Sequence, residues 1–302
     1  MEIFRTEHYT YEKIYFSLWE IGQRYASFTQ FRVIGKSHDD RMIPMLEIGQ
    51  GNTCIFCLAG LDGSDDRMPS CLLQMAEDYC QSYECGWVMD ECYQVRNLLD
   101  QVRICFIPLL NPDGYEICKS GYSAIRNPVF RQMLRMQNRP SGEFFCNARG
   151  IDLQTNFPTN YYVRKQIHRE PASENETKAA IHMFQEYKSA GLLFFSLAEK
   201  RIVYYKQNKA YSYNQKSCRM ARHLLKHSGG HLEKGRPLDG SSPEKSTGSV
   251  EQFYAEVIRQ PSLMIELPVF SDWVSGGEEH RKKEYQEISL LPLEYIYSLG
   301  RV

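Results

Sequence analysis

Apolar positions along this chain fall into two patterns, a helical period of about 3.6 residues and short continuous runs. After Thr10, the positions Ile14, Leu18, Ile21 and Tyr25 lie on one face, which predicts a helix capped by the threonine hydroxyl. Residues 31–35 and 41–48 predict two strands joined by the polar turn Ser37-His38-Asp39-Asp40. The run 54–59 is apolar throughout and predicts a strand buried on both faces. It breaks at Gly60 and Gly63 into a turn carrying Asp62, Asp65 and Asp66, and after Pro69 a helical period runs through Leu72, Met75, Tyr79 and Tyr83. Residues 102–110 predict another buried strand, which ends in the turn residues Asn111, Pro112, Asp113 and Gly114.

The stretch 126–142 is polar and arginine-rich, with breaks at Pro128 and Pro140, and predicts a solvated surface flap. Ser173 and Glu176 have the spacing of a capping box, opening a helix to about residue 189. Strands are predicted at 192–197 and 201–205, a helix at 213–227 ending at Gly229 and Gly230, and a long loop at 235–249. Residues 262–267 predict a last apolar strand with one charge, Glu266, before a terminal helix. Strands alternating with helices, with no repeat period, predict an α/β fold in one domain over 1–302: a doubly wound, mostly parallel or mixed twisted sheet with helices on both faces. Ligands of such sheets sit beyond the carboxyl ends of the strands. The aspartate turn after 54–59 is therefore the first candidate for a polar site.

Composition narrows the function classes. A net charge of −1 over 302 residues gives no global attraction to nucleic acid or an anionic membrane. No apolar stretch reaches the roughly 18–20 residues that span a bilayer, and the first residues lack the pattern of a signal peptide. The expectation is a cytoplasmic protein with no membrane span. Ten cysteines spread through a chain of this size predict reduced, buried thiols rather than a disulfide framework. Cys54 and Cys57 would lie on opposite faces of their strand, and no second Cys-x-x-Cys accompanies them.

Several short motifs together carry a family likeness. They are Ile34-Gly35-Lys36-Ser37, Arg41 to Ile43, Ile48-Gly49, Asn111 to Gly114, Asn147 to Leu153 with Asn156 to Pro158, Ser173-Glu174 with Glu176-Thr177, and Ser262 to Glu266. In this order and spacing the chain resembles the M14-type zinc carboxypeptidases, and most of all their bacterial branch that cuts γ-D-glutamyl–diamino acid bonds in cell-wall peptides. The resemblance implies a single-domain zinc-carboxypeptidase-like fold, a zinc cofactor, and Glu266 as the general base. It assigns the zinc ligands to Asp62, Asp65 and either Ser196 or Leu197. None of these is histidine, and Asp65 is one methylene shorter than the glutamate it replaces. Catalytic zinc sites lean on imidazole nitrogens, so ordinary zinc binding is not expected here. The substrate-carboxylate clamp falls on Ser64, Phe145, Gln154 and Thr155, none of which supplies guanidinium geometry. No tyrosine lies between Tyr213 and Tyr254, where the family's mobile loop tyrosine belongs.

Two functions follow from the resemblance. One is a pseudopeptidase that keeps a cleft for a peptide, a cell-wall fragment or a protein partner. The other is an active metal-dependent peptidase or amidohydrolase that uses Asp62, Asp65 and Glu266 in a reorganised site. The aspartates likewise have two readings: a Mg²⁺ or Ca²⁺ site of hard oxygen ligands, or an acidic turn favoured by the following helix N-terminus. If they and Glu266 faced one cavity, repulsion would raise at least one pKa. His223, His227 and His231 recur every four residues but read as a solvated helix face, since Gly229 and Gly230 end the helix first. The tyrosine pairs at 161–162 and 204–205 read as packing.

Overall fold

The computed structural model describes residues 9–137, 140–160, 170–204, 211–228, 230–234, 248–268 and 277–300, with backbone alone at 227, 231–234 and 277–281. In chain order the strands are β1 (Thr29–Lys36), β2 (Met42–Ile48), β3 (Thr53–Leu58), β4 (Val88–Met89), β5 (Tyr93–Gln94) and β6 (Val102–Ile107). They continue as β7 (Ser189–Ala198), β8 (Arg201–Tyr204), β9 (His231–Lys234) and β10 (Ser262–Pro268). The α-helices are α1 (Tyr11–Arg24), α2 (Met68–Cys85), α3 (Val95–Gln101), α4 (Pro112–Ser120) and α5 (Pro128–Met136). After these come α6 (Asn175–Glu186), α7 (Tyr211–Ser228), α8 (Val250–Phe253), α9 (Gly277–Ser289) and α10 (Leu291–Leu299).

Eight of these strands form one mixed sheet in the order β1-β2-β6-β3-β7-β10-β8-β9, and β4–β5 is a separate hairpin. β6, β3, β7 and β10 run parallel; β2 and β8 flank them antiparallel. Both faces are covered, which is why β3 is apolar without alternation. Ile55, Cys57 and Ala59 pack on one side with Ile14, Leu72 and Leu293. Cys54, Phe56 and Leu58 pack on the other with Phe184, Val250 and Tyr254. Cys54 and Cys57 thus serve opposite cores, as the strand period predicts, and all ten cysteines are free thiols. Thr10 caps α1 as expected, its hydroxyl oxygen accepting from the Lys13 amide at 3.2 Å.

Several expectations are corrected. The flap at 126–142 contains α5, opened by Asn127 Oδ1 accepting from the Val129 amide at 2.9 Å and by Pro128 in the first turn. Phe130, Met133 and Leu134 turn inward onto Ile117 and Phe144, a helical period that the intervening arginines conceal. The capping box at Ser173 does not form: Glu174 is the cap residue of α6 and makes no capping bond, while Ser173 Oγ donates to Glu174 Oε1 at 2.6 Å. The terminal helix is two, α9 and α10, the second with Pro292 in its first turn. The β4–β5 hairpin, α3 and a π-helical turn at Tyr254–Ile258 have no counterpart in the sequence reading. Tyr161, Tyr162 and most of the loop 235–249 lie outside the described residues. Among those described, no helix is long and apolar enough to cross a membrane.

Candidate functional site

The aspartate turn leaves the end of β3 under tight steric constraint. Gly60 has φ +64, and a Cβ there would stand 2.8 Å from Leu109 Cδ1 and 2.9 Å from the Pro108 carbonyl. At Gly63 a Cβ would stand 2.6 Å from the Phe144 carbonyl, so the turn is pressed against the Phe144–Phe145 backbone. Asn111 stitches the same place from the other strand. Its amide donates to the Gly60 carbonyl at 2.8 Å, its Nδ2 to the Leu61 carbonyl at 3.0 Å, and its Oδ1 accepts from the Gly114 amide at 3.0 Å to cap α4. The sequence motif at 111–114 is therefore the scaffold of the aspartate turn.

Within that turn the three aspartates differ. Asp62 is half-buried, and its Oδ1 accepts from the Ser64 amide at 2.8 Å and the Ser64 hydroxyl at 2.6 Å. Asp65 is 4% exposed, and its Oδ1 accepts from the Arg67 and Met68 amides at 3.2 and 3.0 Å. Asp65 thus holds the amides at the start of α2, just ahead of the cap residue Arg67. Burial pushes its carboxyl up to about 7, with the charges of Asp62 and Asp66 acting in the same direction and the Met68 amide opposing. Burial, rather than a cavity shared with Glu266, is the chief cause of this shift. Arg67 is buried behind the turn, donating to Glu284 at 3.3 Å and to the Pro268 carbonyl, which ties the turn to the end of β10.

Glu266 stands near the end of β10, opposite Ser196 of β7 and Arg201 of β8. Successive side chains alternate across a strand, so Ser196 shares the face of Glu266, while Leu197 packs against the opposite core. Glu266 is 6% exposed and accepts from Nε of Arg201. Glu251, 2% exposed on α8, adds a second carboxyl to this end of the sheet; burial pushes it up to about 7, with the Glu266 charge contributing. Gln154 and Thr155 lie half-buried in a 3₁₀ turn capped by Asp152, and the Gly248 backbone passes close to the Thr155 carbonyl. Phe145 is 39% exposed. Its carbonyl accepts from the Gly63 amide at 3.2 Å, so Phe145 and Ser64 do belong to one locality.

The sequence motifs do not single out Arg201 and Glu251. A signal for Arg201 exists: it opens a predicted strand, where a long cation reaches a charge on the neighbouring strand. Glu251 has none, since it looks like one more polar residue after a loop.

The donors at the assigned zinc positions do not fit that ion. Asp62 and Asp65 spend Oδ1 on local amides, Ser196 offers a neutral hydroxyl, and imidazole is absent from all three. Nor do Asp62, Asp65, Asp66 and Glu266 gather as a cation site. Among the described residues, the group of acidic, His or Cys side chains whose ligand atoms all converge within 4.8 Å is His38, Glu174 and Glu176. His223 stands 4.0 Å from Glu294 and takes no part; the side chains of His227 and His231 lie outside the described residues.

A mixed, helix-covered sheet with an acidic turn after one parallel strand and a glutamate near the end of another defines an α/β protein whose polar groups gather beyond the carboxyl ends of its parallel strands. Residues 14–262 match the zinc carboxypeptidase (peptidase M14) family, and the chain belongs to it. Bovine thrombin-activatable fibrinolysis inhibitor, solved in complex with tick carboxypeptidase inhibitor, has TM-score 0.74 at 14% identity, covering 98% of each chain. Carboxypeptidase A of Helicoverpa armigera has TM-score 0.69 at 15% identity, covering 99% of this chain and 76% of that one. Human carboxypeptidase N catalytic chain is 24% identical over 215 residues, 61% of this chain and 42% of the relative. Rat carboxypeptidase D is 28% identical over 181 residues, 58% of this chain and 11% of the relative. The matched part spans less than half the length of these two relatives.

Proposed function

We propose that this protein is a zinc-carboxypeptidase relative that has lost zinc-dependent peptidase activity and uses its scaffold to bind a peptide, a cell-wall fragment or a protein partner. The observation that carries the reading is the state of Glu266. A general base must accept a proton from water near the reacting bond, and the carboxylate at that position is instead bound to Arg201. The ion pair occupies the carboxylate oxygen that the role would need free to face water. The spent Asp62 and Asp65 oxygens support the same conclusion, as do uncharged side chains at the four clamp positions. Cell-wall peptides enter through the resemblance of the sequence to the γ-D-glutamyl peptidase branch, and a bacterial source would accord with it. Free thiols throughout suit a reducing compartment such as the cytoplasm.

The test is turnover by the full chain on a panel of C-terminal dipeptides and γ-D-glutamyl–diaminopimelate peptides, with Zn²⁺, Mg²⁺ and Mn²⁺ added in turn. No cleavage above buffer is expected, and Glu266→Gln is expected to behave like the parent. Cleavage that Glu266→Gln and Asp62→Ala both abolish would establish the active hydrolase instead.

A further inference from the structure

A second group of polar side chains lies away from the turn at 62–66, where the β1–β2 hairpin meets the start of α6. The approach is set by Gly35: a Cβ there would stand 2.6 Å from Ala179 Cβ, so only glycine lets β1 lie this close to the helix. The hairpin turn is locked by Arg41, whose Nη1 donates to Asp39 at 2.8 Å and to Asp113 at 2.9 Å. His38 is thereby held over the first residues of α6. Its Nε2 lies 3.2 Å from Glu174 Oε2, and the Asn175 amide also points to Nε2, at 3.3 Å.

The acceptors here outnumber the donors. Glu174 Oε1 accepts from Ser173 Oγ at 2.6 Å and Arg149 Nη1 at 3.3 Å, and Oε2 from Asn147 Nδ2 at 2.7 Å. The same Asn147 amide reaches Glu176 Oε2 at 3.3 Å. Glu176 Oε1 is shut from solvent and has no hydrogen-bond partner. Buried carboxylate oxygens are rarely left so, because losing hydration without replacement costs a few kcal/mol. The neighbouring buried carboxylates have cations, Arg41 for Asp113 and Arg149 for Glu174. Among the described residues no arginine or lysine pairs with Glu176, and the positive charge that reaches it is that of protonated His38.

We propose that His38, Glu174 and Glu176 form a binding site for a divalent cation of the zinc class. One imidazole and two carboxylates are a donor set that zinc accepts, whereas Mg²⁺ and Ca²⁺ take oxygen ligands. The three ligand atoms lie within 4.8 Å of one another. Tetrahedral zinc bonds of about 2.0–2.2 Å set ligand atoms about 3.3–3.6 Å apart, so His38 Nε2 and Glu174 Oε2 at 3.2 Å already fit, and a shift of the Glu176 side chain by up to about 1.5 Å completes the set. The cation supplies Glu176 with a counter-charge. It also bridges Nε2 and Oε2, two atoms that face each other as acceptors when the Asn175 amide fills its role. His38, with its side chain 16% exposed, is the side open to solvent and to a further ligand. This site is distinct from the positions that the family assigns to catalytic zinc.

The experiment titrates ZnCl₂ into full-length protein stripped with chelator and freed of any affinity tag, by calorimetry and by thermal melting. One equivalent is expected to bind and to raise Tm, since an ion that binds only the folded state stabilises it. His38→Ala and Glu176→Gln are each expected to weaken binding at least about tenfold, as changes in a metal's surroundings do. Asp62→Ala and Glu266→Gln are expected to leave it unchanged. If His38→Ala folds poorly, His38→Gln takes its place. No binding by the parent, or binding that the His38 and Glu176 variants leave intact, overturns the proposal; the helix N-terminus and a proton would then hold these carboxylates. Binding lost in Asp62→Ala alone would also overturn it, and would count against the inactive reading of the turn at 62–66.

Discussion

Asp65 shows at the scale of one residue how a buried carboxylate serves the start of a helix. Its carboxylate holds the first amides of α2, a role worth about 1 kcal/mol in typical helices. Its pKa is raised above the ordinary carboxyl value to about 7. The stability it contributes is therefore complete below about pH 4 and is lost as pH rises towards 7, since the unfolded chain gives up the proton first. Asp65→Asn keeps an acceptor oxygen and removes the charge. Its Tm advantage over the parent is expected to grow between about pH 4 and pH 7 and to level off above. Asp65→Ala also loses the bonds to the Arg67 and Met68 amides and is expected to lie about 1 kcal/mol below Asp65→Asn at every pH. Melting curves across that range decide both, and an advantage independent of pH would contradict the assignment. The role of Asp65 was legible only in part: three aspartates before a helix suggested an acidic first turn, but not which of them would be buried against the first amides.

At the scale of elements, the packing of β7 against α10 carries a steep steric demand. A Cβ on Gly191 would stand 2.0 Å from the Tyr295 hydroxyl, which donates to the Ala190 carbonyl at 2.9 Å. Gly191→Ala must displace Tyr295 and break that bond. Overpacking a core costs typically about 1–3 kcal/mol, and a loss towards the top of that range is expected in urea unfolding. Adding Tyr295→Phe removes the nearest atom, so the double variant is expected to recover part of the loss, a coupling that distant sites would not show. The strands themselves were readable, because continuous apolar runs between turn residues leave few alternatives. Helix α5 was not, because its inward residues are separated by arginines and their period of 3–4 shows only when the packing partners Ile117 and Phe144 are in place.

For the whole molecule, buried carboxyls set the pH response. Asp65 and Glu251 are both pushed up to about 7, and Glu176 moves in the same direction when no cation is bound. Each contributes stability that is lost as pH rises through about 7. Glu174 is the opposite case: burial alone would raise it, but His38, Ser173, Asn147 and Arg149 together hold it down at about 2, so its contribution is lost only as pH falls through that value. With chelator present, the urea midpoint is therefore expected to be higher near pH 5 than near pH 8, and a flat profile would show that these groups relax on ionisation. The sequence by itself determined the order of the main sheet strands, the coverage of both sheet faces and the family. These are local or cumulative signals, written in residue type and period. Tertiary structure alone decided that Arg201 neutralises Glu266, that Ser196 rather than Leu197 shares its face, and that His38 meets Glu174 and Glu176. Each depends on strand register or on segments well over a hundred residues apart or on separate strands, and burial and close approach of charge exist only after the chain has folded.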